Sequence, residues 1–245
     1  MVTEVVRICG VNKAEIMRRL DGLSDSGVKF GVEENCLDAR ITMSAPKALG
    51  RHAFEVTKSA VYNLFEEEVY SSDDTSLQEL VGQLLKMNGR VLAVAESLTG
   101  GEICSRLTEV AGISENFYEG IVCYNSMSKM IRLGVGRDTL KKYGAISRQT
   151  AYEMVRGIAC QPVNGTSANV PVSGANIGLA TTGLAGPKGD EGKPVGLVYI
   201  AVGGGDFIPV FERHFEGTRN EIRQCAANVA LFYLVRYLKG SIWVL

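Results

Sequence analysis

A serine stands where an apolar run meets a pair of glycines. In VLAVAESLTGGEI, Val91 to Ile103, apolar residues lead to Glu96, Ser97 and Thr99, then Gly100 and Gly101. Two uses suit such a serine: a nucleophilic hydroxyl exposed at a helix start, or a side chain that only caps the helix. Two other segments have a similar character. Tyr124 precedes Lys129 by one helical turn and a residue, and Thr181-Thr182-Gly183 runs into Ala185-Gly186-Pro187. In α/β sheets the crevice beyond strand ends of this kind is where ligands bind.

The residue types exclude several other chemistries. Neither glycine-rich segment is a Walker A loop or a GxGxxG fingerprint, so those phosphate-binding templates do not apply. Ser126-Met127-Ser128-Lys129 has the SxxK spacing, which puts a serine and a lysine on one helix face and makes Ser126 a rival nucleophile. The SDN and KTG motifs that accompany SxxK in penicillin-binding enzymes are absent. The two histidines, His52 and His214, fall on a helix-like and a strand-like run and are read as structural. Six scattered cysteines form no CxxC pair and read as small core residues in a reducing compartment; no metal site is expected.

The 245 residues are 46% hydrophobic and 22% charged, with a formal net charge of -1. That balance is ordinary for a globular protein and gives no basic footprint for nucleic acid. Glu4, Arg7, Lys13 and Glu15 interrupt the first residues, so neither a secretory leader nor a membrane anchor is read there, and the cytoplasm is the expected location.

Two domains are expected, 1–72 and 73–245. The first reads β-α-β-β-α: TEVVRICGV, a helix capped by Asn12, VKFGVEE, CLDARITMSA, and a long helix opened by Pro46. Leu49, Ala53, Val56, Ala60 and Leu64 are its expected apolar stripe, and the acidic run Glu66–Ser76 the expected linker. Beyond it, strands VLAVA, GIVCY, IGLATTG and LVYIAVG alternate with helices. FIPVFERHF closes a hairpin, and Thr218 opens a last helix running to Lys239. The alternation predicts an α/β fold, a three-layer α/β/α domain with a mixed sheet. Residues 161–176, rich in Pro, Gly, Ser and Asn, read as a surface loop.

AESLTGG, GIVCYNSMSKMIRLGV, GAIS, TTGLAGPKGD, KPVGLVYIAV and FEGTRNEIR together resemble, in order and spacing, the C-terminal domain of the CinA family. The likeness covers Ser76 to Lys239, and the first domain resembles the KH-type module that precedes it in longer members. The resemblance implies a nicotinamide-nucleotide amidohydrolase, which converts nicotinamide mononucleotide to nicotinate mononucleotide and ammonia with a Ser-Lys pair and no cofactor or metal. The family serine falls on Ser97 and its lysine on Lys129; Tyr124, bordering the pyridine ring, is the third residue expected to be catalytic.

In that role Lys129 must be neutral to take the serine's proton. Backbone N–H groups of Thr99, Gly100 and Gly101 are the expected oxyanion donors. Thr182 and Gly183 are expected to contact the substrate, and Arg219 and Arg223, four apart near a helix start, to receive its 5′-phosphate. The chain departs from the family pattern in having Leu98 where cysteine is common, and Asn125-Ser126 where the order is often reversed. The first domain shows no GxxG loop, so RNA binding is not expected. A small-molecule pyridine nucleotide and a second copy of the chain are the expected partners. The alternative is a catalytically silent nucleotide-binding or scaffold protein.

Overall fold

The computed structural model describes residues 1–159, 174–190 and 192–242. The chain divides into two compact units, Met1–Leu80 and Val81–Leu245.

The first unit contains β1 (Val2–Cys9), α1 (Lys13–Asp21), β2 (Lys29–Asn35), β3 (Asp38–Ala45), α2 (Arg51–Leu64) and β4 (Val69–Ser71). Its antiparallel sheet runs β2-β3-β1-β4. Along β3, Ala39, Ile41, Met43 and Ala45 are buried in alternation and supply one wall of the core. Asn12 caps α1 by accepting the Glu15 N–H at 2.9 Å.

Three expectations for this unit need correction. The β2–β3 turn is made by Cys36 and Leu37, at φ 51° and 69°. The strand therefore starts at Asp38, and Leu37 is not part of its buried face. The left-handed pair that closes a two-residue hairpin is signalled by Asn-Gly and not by Cys-Leu.

The helix expected from Pro46 is broken: a 3₁₀ turn at Lys47–Leu49 ends on Gly50, at φ +83°, before α2 begins. That break resets the phase, so α2 buries Phe54, Thr57 and Val61 while Val56 stays 56% exposed.

The expected linker contains β4. Tyr70 is 1% exposed, its hydroxyl donating to Asp38 and accepting from Arg7 Nε, each at 2.8 Å. Burial and the nearby Asp38 carboxylate push the Tyr70 phenol well above its ordinary range. Asp74 pairs with Arg40 Nε at 2.9 Å. A three-residue strand with one inward aromatic is hidden in a run of Glu, Ser and Asp, and the division between units falls later, within α3 (Leu77–Met87).

The second unit continues with β5 (Leu92–Glu96), α4 (Glu102–Thr108), β6 (Phe117–Val122), α5 (Ser126–Leu133), α6 (Arg137–Tyr143) and α7 (Arg148–Ala159). It ends with β7 (Ile177–Gly183), β8 (Leu197–Gly203), β9 (Val210–His214) and α8 (Arg219–Leu238). The mixed sheet runs β6-β5-β7-β8-β9. β5 is parallel to β6 and to β7, whereas β7-β8 and β8-β9 are antiparallel.

Helix α7 packs on one face of the sheet, with α5 and α6 beside it, and α8 on the other with α4. This is a three-layer α/β/α arrangement. Ala93, Ala95, Ala180 and Ala201 form a buried floor of small side chains in the α7 core cluster. Packing there is close: a Cβ on Gly178 would lie 2.9 Å from a Val155 methyl. Strand β5 is buried throughout, as a central strand covered by helices on both faces should be. Thr218 caps α8 in a complete capping box with Glu221. Residues 161–173 of the expected surface loop lie outside the described residues. No helix among the described residues is long and apolar enough to cross a membrane.

Candidate active site

Because β5, β6 and β7 run parallel, their C-terminal ends open on one edge of the sheet. The residues that follow them, Ser97, Tyr124 and Leu184, border a cleft of about 310 Å³. Asn125 begins α5 by accepting the Ser128 N–H at 2.8 Å, which sets Lys129 one turn into the helix on its buried face, in line with Leu133. Lys129 Nζ lies 2.9 Å from Ser97 Oγ, bridging 32 positions of chain, and donates to the Cys123 carbonyl at 2.8 Å. Lys129 is 1% exposed and Ser97 7%, yet both line the cleft. Ser126, the rival serine, sits exposed at the cleft rim.

The turn after β5 shows why Ser97 is not spent as a cap. The buried side chain of Glu96 does that work. Its oxygens accept the N–H groups of Gly101 at 2.9 Å, Ile103 at 3.4 Å and Cys104 at 2.9 Å. Burial, and then the Glu96 carboxylate, push the Cys104 thiol far above its ordinary value. The Gly100 N–H goes to the Ser97 carbonyl at 3.2 Å.

Gly100 and Gly101 are therefore not available as oxyanion donors; at φ +64° and +97° they shape the turn instead. Thr99 needs a similar correction: it is fully buried, and its hydroxyl pairs with Thr181 Oγ1 at 2.8 Å. Glu96 was missed by sequence reasoning, although a carboxylate at a strand end just before a helix start is a signal for a cap. Replacing it orphans three helix-start amides. Glu96→Ala is expected to cost about 2–4 kcal/mol, read by urea unfolding.

The two arginines expected to act together part company. Arg219, at the first position of α8, reaches the mouth of the cleft. There it donates to the Tyr124 hydroxyl at 2.5 Å and to the Gly186 carbonyl. Arg223 lies one turn further in and is turned to the loop after β5, donating to Leu98 O at 3.1 Å and Thr99 O at 2.8 Å. Arg223 does not line the cleft, so the structure does not bring it beside Arg219 as the sequence reading expected. Tyr124, 60% exposed, pairs with Arg219 at the mouth rather than with the buried Ser97–Lys129 pair.

Thr182 and Gly183 both line the cleft, the Thr182 hydroxyl donating to Ala145 O at 2.7 Å. A Cβ on Gly183 would lie 2.6 Å from the Leu197 carbonyl oxygen, so β8 also dictates glycine there. Ala145 and Ile146 of GAIS and Asp190 at the end of TTGLAGPKGD also line the cleft, although none of the three was given a site role of its own from the sequence.

Comparison with known proteins agrees with this architecture. Residues 74–238 match the model of the CinA C-terminal domain. A CinA-like protein of Fusobacterium nucleatum is 40% identical over 185 residues, covering 74% of this chain and 42% of its own length. One from Syntrophomonas wolfei is 34% identical over 244 residues, covering 97% of this chain and 56% of its own length. The chain thus spans about half the length of the curated relatives it matches. Among solved structures, the competence/damage inducible protein CihA of Agrobacterium tumefaciens superposes with a TM-score of 0.57 at 36% identity, covering 66% of this chain and 95% of that one. A CinA superfamily protein of Klebsiella pneumoniae gives 0.60 at 28% identity, covering 67% and 96%. With the matched segment spanning the sheet and the serine–lysine cleft alike, the chain belongs to the CinA family.

Proposed function

We propose that the second unit hydrolyses the carboxamide of nicotinamide mononucleotide, releasing ammonia and nicotinate mononucleotide. The observation that carries this reading is the 2.9 Å approach of Lys129 Nζ to Ser97 Oγ inside a cleft. A hydroxyl is a weak nucleophile until a base takes its proton, and burial disfavours an ammonium, so a lysine in this setting favours the neutral form a base requires.

The proposed reaction runs by acyl transfer. Ser97 Oγ adds to the carboxamide carbon as Lys129 accepts the hydroxyl proton. The C–N bond then breaks while Lys129 returns that proton to the departing nitrogen, leaving an ester on Ser97. Water, activated by the same amine, cleaves the ester and frees the acid. Arg219 at the mouth supplies the charge for a 5′-phosphate, exchanging its contact with Tyr124 for the ligand. Thr182 and Gly183, which line the cleft, are the residues the proposal sets against the substrate.

The test is ammonia release from nicotinamide mononucleotide by the purified full chain with a chelator present. Release at a rate proportional to enzyme supports the proposal. Thermal stabilisation by the nucleotide with no ammonia would make the protein a silent nucleotide binder and end the hydrolase reading.

A further inference from the structure

We infer that Asp190 is a specificity residue: its carboxylate accepts the hydroxyls of a ribose whose 5′-phosphate meets Arg219, so the cleft takes ribonucleotides in preference to 2′-deoxy analogues. The inference deepens the proposed function and rests on it only in requiring a ribose 5-phosphate in the cleft; it does not depend on the carboxamide.

Charge divides the cleft into parts. Lys129 lies at its buried end, 1% exposed, and Arg219 at its exposed mouth. Asp190 is the one carboxylate among the described residues that line it, and it too is exposed. Beside a phosphate a carboxylate repels, unless a donor on the ligand comes to meet it. The cis-diol of a ribose supplies two such donors. The two oxygens of a carboxylate accept both, as acidic residues do for ribose in dinucleotide-binding folds. Neutral side chains of the lining are committed elsewhere: Asn125 Oδ1 accepts the Ser128 N–H at 2.8 Å, and the Thr182 hydroxyl donates to Ala145 O at 2.7 Å.

The segment that carries Asp190 is held at both ends. Leu184 donates its N–H to Leu197 O at 2.9 Å and accepts from the Gly196 N–H at 2.7 Å, and Arg219 itself donates to the Gly186 carbonyl. Further on, the Lys193 N–H returns to the Asp190 carbonyl at 2.8 Å. Lys193 Nζ donates to Tyr143 O, also at 2.8 Å, which ties the turn to the end of α6. A Cβ on Gly189 would lie 2.6 Å from the Lys193 carbonyl oxygen, so the turn closes too tightly for a side chain there. One loop thus bears both the carbonyl that steadies Arg219 and the carboxylate, which sets phosphate cation and diol acceptor on a common frame.

Isothermal titration of the full chain with methyl β-D-ribofuranoside 5-phosphate and with its 2-deoxy counterpart tests this without a carboxamide. The wild type is expected to bind the ribose form about 10- to 100-fold more tightly, the worth of a hydrogen bond to a charged group. In Asp190→Ala the two sugars are expected to bind within about twofold of each other, since no charged acceptor meets the 2-hydroxyl. The deoxy sugar should bind that variant no more weakly than the wild type, because a repulsion has been removed. Asp190→Asn, which keeps the size but not the charge, is expected to fall between. In ammonia release, Asp190→Ala should raise KM with kcat little changed.

Equal binding of the two sugars by the wild type, binding of neither, or full discrimination in Asp190→Ala would overturn the inference. If Asp190→Ala does not fold, Asp190→Asn decides alone: reduced discrimination supports the inference and an unchanged ratio overturns it. Ammonia release without sugar discrimination would keep the hydrolase and remove Asp190 from recognition. Discrimination that depends on Asp190, with no ammonia released, would retire the carboxamide substrate and leave the ribose contact standing.

Discussion

Ser97→Ala abolishes ammonia release while leaving the protein folded: kcat is expected to fall on the order of 10⁴- to 10⁶-fold, as when a serine nucleophile is removed elsewhere. The expected stability change is under about 1 kcal/mol, because a substitution that leaves the helix cap intact escapes the usual costs. Glu96 holds the start of α4, whereas the Ser97 hydroxyl is engaged by Lys129. Activity and stability therefore separate at two adjacent residues. Glu96→Ala unfolds more easily, whereas Ser97→Ala melts like the wild type and still gains thermal stability from nucleotide through Arg219. A kinetic assay alongside a melting curve on both variants reads the contrast. Full activity in Ser97→Ala with loss in Ser126→Ala would move the nucleophile to the exposed serine at the rim.

The second large effect belongs to Lys129. Lys129→Met keeps the length of the side chain and its fit in the core but removes the amine, and kcat is expected to fall by about as much as in Ser97→Ala. A base and its nucleophile act as a unit, so the double variant should be no slower than either single one. Multiplicative losses would mean that the two side chains work in separate steps. In the wild type, the rate should rise with pH as the amine loses its proton and fall as acid restores it. Residual turnover in Lys129→Met should lack that limb. Since a buried amine costs desolvation, the Met variant is also expected to be at least as stable as the wild type within about 1 kcal/mol, read by urea unfolding.

How far the molecule was legible in its sequence depended on the range of the interaction. The buried strands β5, β7 and β8 and the capping box of α8 are local patterns, and Leu92–Glu96, Ile177–Gly183 and Thr218 stand where those patterns put them. The approach of Ser97 to Lys129 joins residues 32 positions apart. No local pattern encodes it; motif order raised it as an expectation, and the parallel β5–β6 pair explains it physically.

Arg219 and Arg223 show the limit. Their spacing puts both on one helix face, but one turn of α8 is enough to send one guanidinium to the cleft mouth and the other to the loop after β5. Charge could not distinguish these destinations, because both are rich in acceptors. β4 was lost for the opposite reason: its acidic and serine neighbours outweigh one tyrosine in any composition window, yet Tyr70 is what the first unit buries there.

The central claim is that the Ser97 hydroxyl is the atom acylated during turnover. Acid-quenching the enzyme in mid-turnover with nicotinamide mononucleotide, followed by peptide mass mapping, tests it directly. The account predicts a nicotinate mononucleotide ester on the peptide containing Ser97, absent from Ser97→Ala. An ester on Ser126, or steady ammonia release from the Ser97→Ala enzyme, would contradict it.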